Sequence, residues 1–100
     1  MELKLLEQDG VMILLVEGRV DTITATELEK KMSQLWSINS VQLVLDCAGM
    51  EYLCSSGLRV ILTAHKQVTA NEGRFVLRNI TPEVRSVLDM TGISRIIAME

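Results

Sequence analysis

The fold of this 100-residue chain is decided by residues 41–62, which read VQLVLDCAGMEYLCSSGLRVIL. An apolar run ends in Asp46 and predicts a strand over residues 41–46. Residues 47–53 contain a glycine and predict a loop. The first part of the stretch therefore predicts one strand followed by a long connection.

The second part predicts a helix that opens on a serine, since Ser55 and Ser56 come directly before apolar residues at helical spacing. The residues predicted for its buried face are Leu58, Ile61, Leu62 and either His65 or Val68. A helix start exposes unpaired N–H groups and a partial positive charge, which stabilise an oxyanion placed there. A phosphate carried on one of these serines would be held at the surface, within reach of a kinase and a partner protein.

Two apolar segments near the start of the chain predict a β-hairpin. Residues 3–6 and 11–17 flank Asp9 and Gly10, which form a strong tight-turn signal. Because the apolar residues of the second segment are nearly continuous, this strand is predicted to be covered on both faces. Gly18 is predicted to end it.

The next segment predicts an amphipathic helix from Thr24 to about Ser37. Thr24 and Glu27 fit a capping box, with Thr24 as the N-cap. The apolar residues that recur at helical spacing are Leu28, Met32, Leu35 and Trp36.

The remainder of the chain predicts a strand, a helix and a short final strand. Residues 74–78 form the strand, and Thr81 with Pro82 marks a helix start that Gly92 stops. Residues 95–99 form the last strand. The order ββαβαβα(β) predicts one α/β domain over residues 1–100, a small mixed four- to five-stranded sheet with helices mainly on one face.

Composition narrows the class of function. The net charge is −3, and the chain lacks the clustered Lys and Arg that bind nucleic acid. The longest uncharged apolar run, residues 11–16, is too short for a membrane span. The acidic residue Glu2 argues against a signal peptide, which carries no acid at this position. Two cysteines are too few for a disulfide framework. The chain is therefore predicted to be cytoplasmic, with no nucleic-acid or membrane partner.

Open α/β sheets place their sites beyond the carboxyl ends of the strands. Asp21 follows the second strand and Asp46 the third, so both are predicted to converge with Ser55 and Ser56. Each of these residues also has a structural interpretation: an aspartate as a turn residue and one serine as a helix N-cap. Both interpretations remain open at this stage.

An enzymatic interpretation lacks a base. Cys54 at a helix start is a candidate thiolate nucleophile, and Ser55 a candidate hydroxyl nucleophile. The single histidine, His65, lies roughly 16 Å further along the same helix at 1.5 Å per residue, out of reach of both. The cysteines and this histidine make a poor zinc set, and no phosphate-binding G-x-x-x-x-G-K-[ST] motif is present. No enzyme activity, metal or cofactor is predicted.

Residues 43–46 and 53–62 together resemble the signature of the STAS domain, the family of anti-sigma factor antagonists and of the cytoplasmic domains of sulfate transporters. Residues 18–21, followed by Thr24, are similar to the first conserved block of that family. Residues 87–93 are similar to its usual ending. The likeness spans nearly the whole chain in the right order.

This resemblance implies an anti-sigma factor antagonist that switches partners. In bacterial members a kinase phosphorylates the first serine of an Asp-Ser-Ser-Gly-Leu motif, which is the position of Ser55, with Ser56 as the alternative. The unmodified form binds an anti-sigma factor/serine kinase of ATPase fold, which then releases its sigma factor, and a PP2C-type phosphatase restores the free form. Cys54 departs from the family pattern because Asp is common there.

The expected partner-binding surface combines acids, loop residues and the start of the second helix. Its predicted members are Asp21, Thr22, Asp46, Tyr52, Cys54, Ser56, Gly57, Leu58 and Arg59. The resemblance also allows a constitutive STAS subunit of an ABC lipid transporter or of a stress-signalling complex, which docks through the same helix without phosphorylation.

Overall fold

The computed structural model describes all 100 residues. The elements are β1 (Glu2–Gln8), β2 (Val11–Val20), α1 (Thr22–Trp36), β3 (Gln42–Leu53), α2 (Ser55–Ala70), β4 (Arg74–Arg78), α3 (Pro82–Met90), a 3₁₀ turn (Ile93–Arg95) and β5 (Ala98–Met99). The strands form one sheet in the order β1-β2-β3-β4-β5. Only the β1–β2 pair is antiparallel. The predicted element order and the mixed sheet are confirmed.

All three helices lie on one face of the sheet. The large hydrophobic core contains buried residues from every helix, among them Leu28 of α1, Ile61 of α2 and Leu88 of α3. A second, smaller cluster contains strand residues only, and it lies on the other face because side chains alternate along a strand. The prediction that helices cover mainly one face is therefore confirmed.

The turn at Asp9 and Gly10 forms the predicted hairpin. Both residues have positive φ, 54° and 80°, as a two-residue turn of the primed type requires. Gly10 accepts this conformation without steric cost because it has no Cβ.

The strands β2 and β3 are longer than the sequence predicts. Gly18 was expected to end β2, yet the strand continues to Val20, and the predicted loop at 47–53 forms the second half of β3. Beyond Asp46 this half pairs with β2 alone, since β4 ends opposite Asp46. The register of this two-stranded ribbon is irregular, and backbone pairing continues through residues 47–53, which the sequence predicts as a loop.

The first helix begins earlier than predicted. Asp21, and not Thr24, is the N-cap: the Asp21 carboxylate accepts hydrogen bonds from the amides of Ile23 and Thr24. The Thr24 hydroxyl accepts a hydrogen bond from the Asp21 amide, which completes a reciprocal box. The prediction of a capping box was correct in kind but placed three residues too late.

Candidate functional site

The carboxyl ends of β2 and β3 bring two helix starts together. The amide of Cys54 donates a 2.9 Å hydrogen bond to the carbonyl of Val20. Asp21 opens α1 directly after Val20, and Ser55 opens α2 directly after Cys54. This single bond therefore fixes the start of α1 beside the start of α2.

Asp21 is an ordered carboxylate at this edge. Its oxygen accepts from the amides of Ile23 at 3.0 Å and Thr24 at 2.9 Å. Hydrogen bonds from the Thr24 amide and hydroxyl hold the pKa of Asp21 below its usual range, and the Arg19 charge adds to the effect. The side chain is thus an ionised cap whose orientation is set by its own helix.

Gly57 allows α2 to approach the strand ends closely. A Cβ at this position would lie 2.5 Å from Leu53 Cδ1 and 2.8 Å from Val20 Cγ1. Gly57 and the next residue, Leu58, are both buried. The sequence predicted these two residues as partner-binding or site-lining, and the structure assigns them a supporting position beneath the surface.

Ser55 is exposed at the first position of α2, and the residue before it provides no cap. Cys54 occupies the N-cap position in an extended conformation, and its side chain makes no capping hydrogen bond. The structural interpretation in which a serine caps this helix is therefore wrong. The first turn of α2 also carries no acidic residue, so its free N–H groups have no side-chain acceptor.

Ser56 points toward α1 rather than outward. It lines a shallow groove of about 140 Å³ between the starts of the two helices, together with Thr22, Thr26, Glu29 and Arg59. The hydroxyl of Ser56 makes no hydrogen bond within the chain, and neither does that of Ser55. Three hydroxyl side chains, the Glu29 carboxylate and the Arg59 guanidinium therefore line one groove, which includes the residue next to Ser55.

Tyr52 lies in the ribbon half of β3, two residues before the N-cap of α2. Its side chain is 41% exposed, and the guanidinium carbon of Arg19 lies 4.2 Å from the centre of its ring. Arg19 and Tyr52 are register partners on β2 and β3. This cation–π contact holds the ring of Tyr52 against the ribbon, and Tyr52 also lines a shallow groove with Glu83, Val84 and Val87 of α3.

Asp46 does not join this group, contrary to prediction. It lies within β3, seven residues before Leu53, which corresponds to roughly 23 Å at about 3.3 Å per residue. Its carboxylate accepts from the Asn79 amide at 3.2 and 3.3 Å and from the Ala48 amide at 3.0 Å. The prediction failed because β3 continues past Asp46, which therefore serves as a structural link between β3 and the end of β4.

The remaining reactive side chains are separate from the site. Cys47 is buried, and burial, with a smaller effect from the Asp46 charge, raises its pKa to about 12. His65 lies ten residues along α2 from Ser55, roughly 15 Å at 1.5 Å per residue, and its buried Nδ1 has no hydrogen-bond partner. No three His, Cys, Asp or Glu side chains are grouped in a way that would hold a metal ion. None of the helices is long and apolar enough to cross a membrane.

Ile23 was missed from the sequence. It lies in the first turn of α1, next to Thr22, and is 77% exposed. The buried residues of α1 are Ala25, Leu28, Met32 and Leu35, so an isoleucine at position 23 falls off the apolar stripe. An apolar residue off the buried stripe of an amphipathic helix was the available signal for this exposed side chain.

Comparison with known proteins identifies the family. A sequence profile of the STAS domain matches residues 2–100, so the chain belongs to the STAS domain family. BtrV of Bordetella bronchiseptica, whose name describes a candidate anti-sigma factor antagonist, is 33% identical over 92 residues, which cover 92% of this chain and 79% of BtrV. The anti-sigma F factor antagonist of Paenibacillus polymyxa is 28% identical over 87% of this chain and 75% of its own length.

Solved structures show the same fold. The crystal structure of an anti-sigma factor antagonist from Mycobacterium paratuberculosis has a TM-score of 0.87 at 25% identity, covering 98% of this chain and 83% of that one. Unphosphorylated SpoIIAA, an anti-sigma factor antagonist, has a TM-score of 0.76 at 19% identity, covering 99% of this chain and 87% of SpoIIAA. The family is generally non-enzymatic.

Proposed function

We propose that this chain is an anti-sigma factor antagonist that docks on an anti-sigma factor through the surface around Ser55 and is released when Ser55 is phosphorylated. The observation that carries the proposal is the exposed hydroxyl of Ser55 on a helix start with no side-chain cap. Anti-sigma factor antagonists among the relatives and solved structures support the assignment.

The chemistry of the surface fits a protein partner. Exposed Ile23, in the first turn of α1, and exposed Tyr52, two residues before the N-cap of α2, offer apolar contact area. Asp21 and Arg59 supply one charge of each sign. Such a mixture of aromatic, apolar and arginine side chains is typical of interface hot spots.

Phosphorylation would act by charge and not by refolding. A phosphate on Ser55 adds about −1.5 to −2 charge units in the middle of this surface. If the added charge costs about 3 kcal/mol in a closely packed interface, binding weakens about a hundredfold. The helix start and Arg59 stabilise the same phosphate in the free protein, since residues four apart lie on one helix face.

The test is phosphorylation by the cognate anti-sigma factor/serine kinase with ATP, followed by mapping with mass spectrometry. We expect phosphate on Ser55 and none on the Ser55→Ala variant. Ser56→Ala is the matched control, because Ser56 lines the groove and should leave modification of Ser55 intact. Equal phosphorylation of wild type and Ser55→Ala would contradict the proposal.

Binding completes the test. Unmodified protein and Ser55→Ala should bind the anti-sigma factor, whereas phosphoprotein and Ser55→Asp should bind about a hundredfold more weakly. A PP2C-type phosphatase should restore binding of the phosphoprotein and leave Ser55→Asp unchanged. Tight binding that is indifferent to these changes would favour a constitutive STAS subunit instead.

A further inference from the structure

A shallow apolar groove, here called the α3 groove, lies between the ribbon half of β3 and α3. Its volume is about 180 Å³, and its lining residues are Glu51, Tyr52, Leu53, Glu83, Val84 and Val87. The groove exists because β4 ends opposite Asp46, so that no strand pairs with the second half of β3 on this side. This half of β3 therefore has a free edge, and α3 forms the other wall of the groove.

The α3 groove has a buried apolar floor and an accessible apolar wall on each side. Leu53 and Val84 are buried and belong to the large hydrophobic core. Val87, on α3, is half-buried, and Tyr52, on β3, is exposed. Apolar surface that stays open within a concavity is suited to binding an apolar side chain.

Both charged residues that line the α3 groove are acidic. Glu51, on β3, and Glu83, in the first turn of α3, are exposed, and neither makes an ion pair within the chain. The nearest cation on α3, Arg85, is paired with Asp89 at 3.3 Å. The walls of the groove therefore present two carboxylates that have no cationic partner.

A second groove, of about 470 Å³, extends this acidic surface. Glu51 lines it as well, and its other lining residues are Met1, Glu2, Glu17, Gly18 and Gly49. Two cations lie in this region: the amine of Met1, beside Gly18, and Arg19, whose guanidinium lies over the ring of Tyr52. Four carboxylates thus stand against two cations, so the surroundings of the α3 groove are negative overall.

We propose that the α3 groove docks a basic segment of a partner protein, in which one apolar side chain is flanked by lysine or arginine. The apolar side chain enters between Tyr52 and Val87, and the flanking cations meet the carboxylates of Glu51 and Glu83. An acidic segment would be repelled by these carboxylates, and a cationic segment without an apolar side chain would leave the floor uncovered. Charge complementarity together with the apolar floor therefore selects the occupant.

The α3 groove is separate from the groove beside Ser55. Neither Ser55 nor Ser56 lines it, although Tyr52 and Leu53 come shortly before them in the chain. The inference does not rest on the proposed function, and binding of a basic segment should persist in Ser55→Ala. Failure of one proposal would leave the other intact.

The probe is a short fluorescein-labelled peptide with a central leucine and two lysines on either side. We expect saturable binding to the full chain by fluorescence anisotropy. Replacing the leucine by serine should weaken binding about tenfold, because the apolar contact is lost while every charge is kept. Replacing the lysines by glutamates should abolish binding.

Variants of the chain locate the contact. Glu51→Lys and Glu83→Lys should each weaken binding about fivefold, because an attraction becomes a repulsion. Glu27→Lys, on the exposed face of α1, makes the same change in net charge away from the groove and should leave binding unchanged. NMR amide shifts should centre on residues 51–53 and 83–87.

The absence of saturable binding would overturn the proposal. Equal binding of the leucine and serine peptides would overturn it too, since the acidic surface would then attract any cation without use of the groove. Amide shifts centred on α1 or on β4 would place the peptide elsewhere. A homodimer that Glu51→Lys dissociates, with no peptide binding, would assign the groove to a second copy of the chain and contradict a basic partner segment.

Discussion

The missing side chain of Gly57 creates the space that Leu53 occupies. A Cβ at position 57 would lie 2.5 Å from Leu53 Cδ1, and the neighbouring Val20 would be only 2.8 Å away. The last residues of β2 and β3 thus pack directly under the first turn of α2. The position of Ser55 on the surface depends on this contact, since Ser55 lies two residues before Gly57.

Gly57→Ala should destabilise the fold and displace the start of α2. The Leu53 side chain has to move, which costs about 1–3 kcal/mol for overpacking, partly offset by roughly 1 kcal/mol of helix propensity. We expect a net loss of about 1 kcal/mol in the free energy of unfolding, measured by urea denaturation. Ser55→Ala, in the same turn but exposed, should stay within about 0.5 kcal/mol of wild type. An unchanged free energy of unfolding in Gly57→Ala would show that the close contact between position 57 and Leu53 has no energetic role.

Cys54→Asp should stabilise the chain. The N-cap of α2 has extended backbone angles, φ −88° and ψ 175°, but no side-chain acceptor, whereas Asp21 and Thr81 cap the other two helices. A carboxylate at this position should accept from the free amides and add about 1 kcal/mol, measured as a raised Tm. Cys54→Ala is the control and should match wild type, because the thiol makes no capping bond. A Cys54→Asp variant no more stable than Cys54→Ala would rule out an uncapped helix start.

An anion at Ser55 should stabilise the free protein, even though we expect it to weaken docking. Ser55→Asp adds a negative charge to the first turn of α2, worth about 0.3–1 kcal/mol through the helix dipole. Thr69→Asp places the same charge in the last turn and should destabilise by a similar amount. Urea denaturation of both variants at low salt measures the difference between their free energies of unfolding. Equal effects of the two variants would show that the helix dipole has no influence at position 55.

Strong local signals made part of this structure predictable. The bounds of β4 and the start of α3 were predicted to the residue. An apolar run bounded by polar residues marks the strand, and the Thr81-Pro82 pair marks the helix start. Both signals act locally. The start of α2 was predicted at Ser55 or Ser56, and the helix begins at Ser55. In each case the deciding interaction lies within one helical turn or one strand.

The errors arose where tertiary pairing decided the outcome. Nothing local in residues 47–53 indicates a strand, and β3 continues there because β2 supplies hydrogen-bond partners. Asp46 was consequently predicted at the end of a strand and lies inside one. For α1, both Asp21 and Thr24 can cap, and the extended backbone at Asp21 selects the earlier residue.

The two thiols should differ sharply in reactivity. Cys47 is 1% exposed, and burial raises its pKa to about 12, so almost no thiolate forms at neutral pH. Cys54 is partly exposed at the site. Iodoacetamide labelling of the native chain, followed by mass spectrometry, should modify Cys54 alone, and denaturant should make Cys47 react as well. Native labelling of Cys47 at a comparable rate would contradict its burial.

Acid should weaken the fold partly through Asp21. Its folded-state pKa is lowered, chiefly by the hydrogen bond from the Thr24 amide, so the unfolded chain binds the proton more tightly. The stability that this carboxylate contributes is complete above the unfolded pKa of about 3.9 and is lost as the pH falls through the lower folded value. Asp21→Asn should therefore have a flatter dependence of Tm on pH below about pH 4.

Asp89 provides the matched comparison for this pH effect. Its pKa is lowered by hydrogen bonds from Ser94 and Arg85, at the far end of α3 from the helix starts around Ser55. Asp89→Asn should flatten the acid dependence of Tm in the same direction but leave binding of the anti-sigma factor unchanged. Asp21→Asn should affect both, since it loosens the start of α1 beside Ser55. If the Tm of Asp21→Asn and the Tm of wild type fell in parallel as the pH is lowered, the prediction would be contradicted. The Asp21 carboxylate would then not bind a proton more tightly in the unfolded chain than in the folded one.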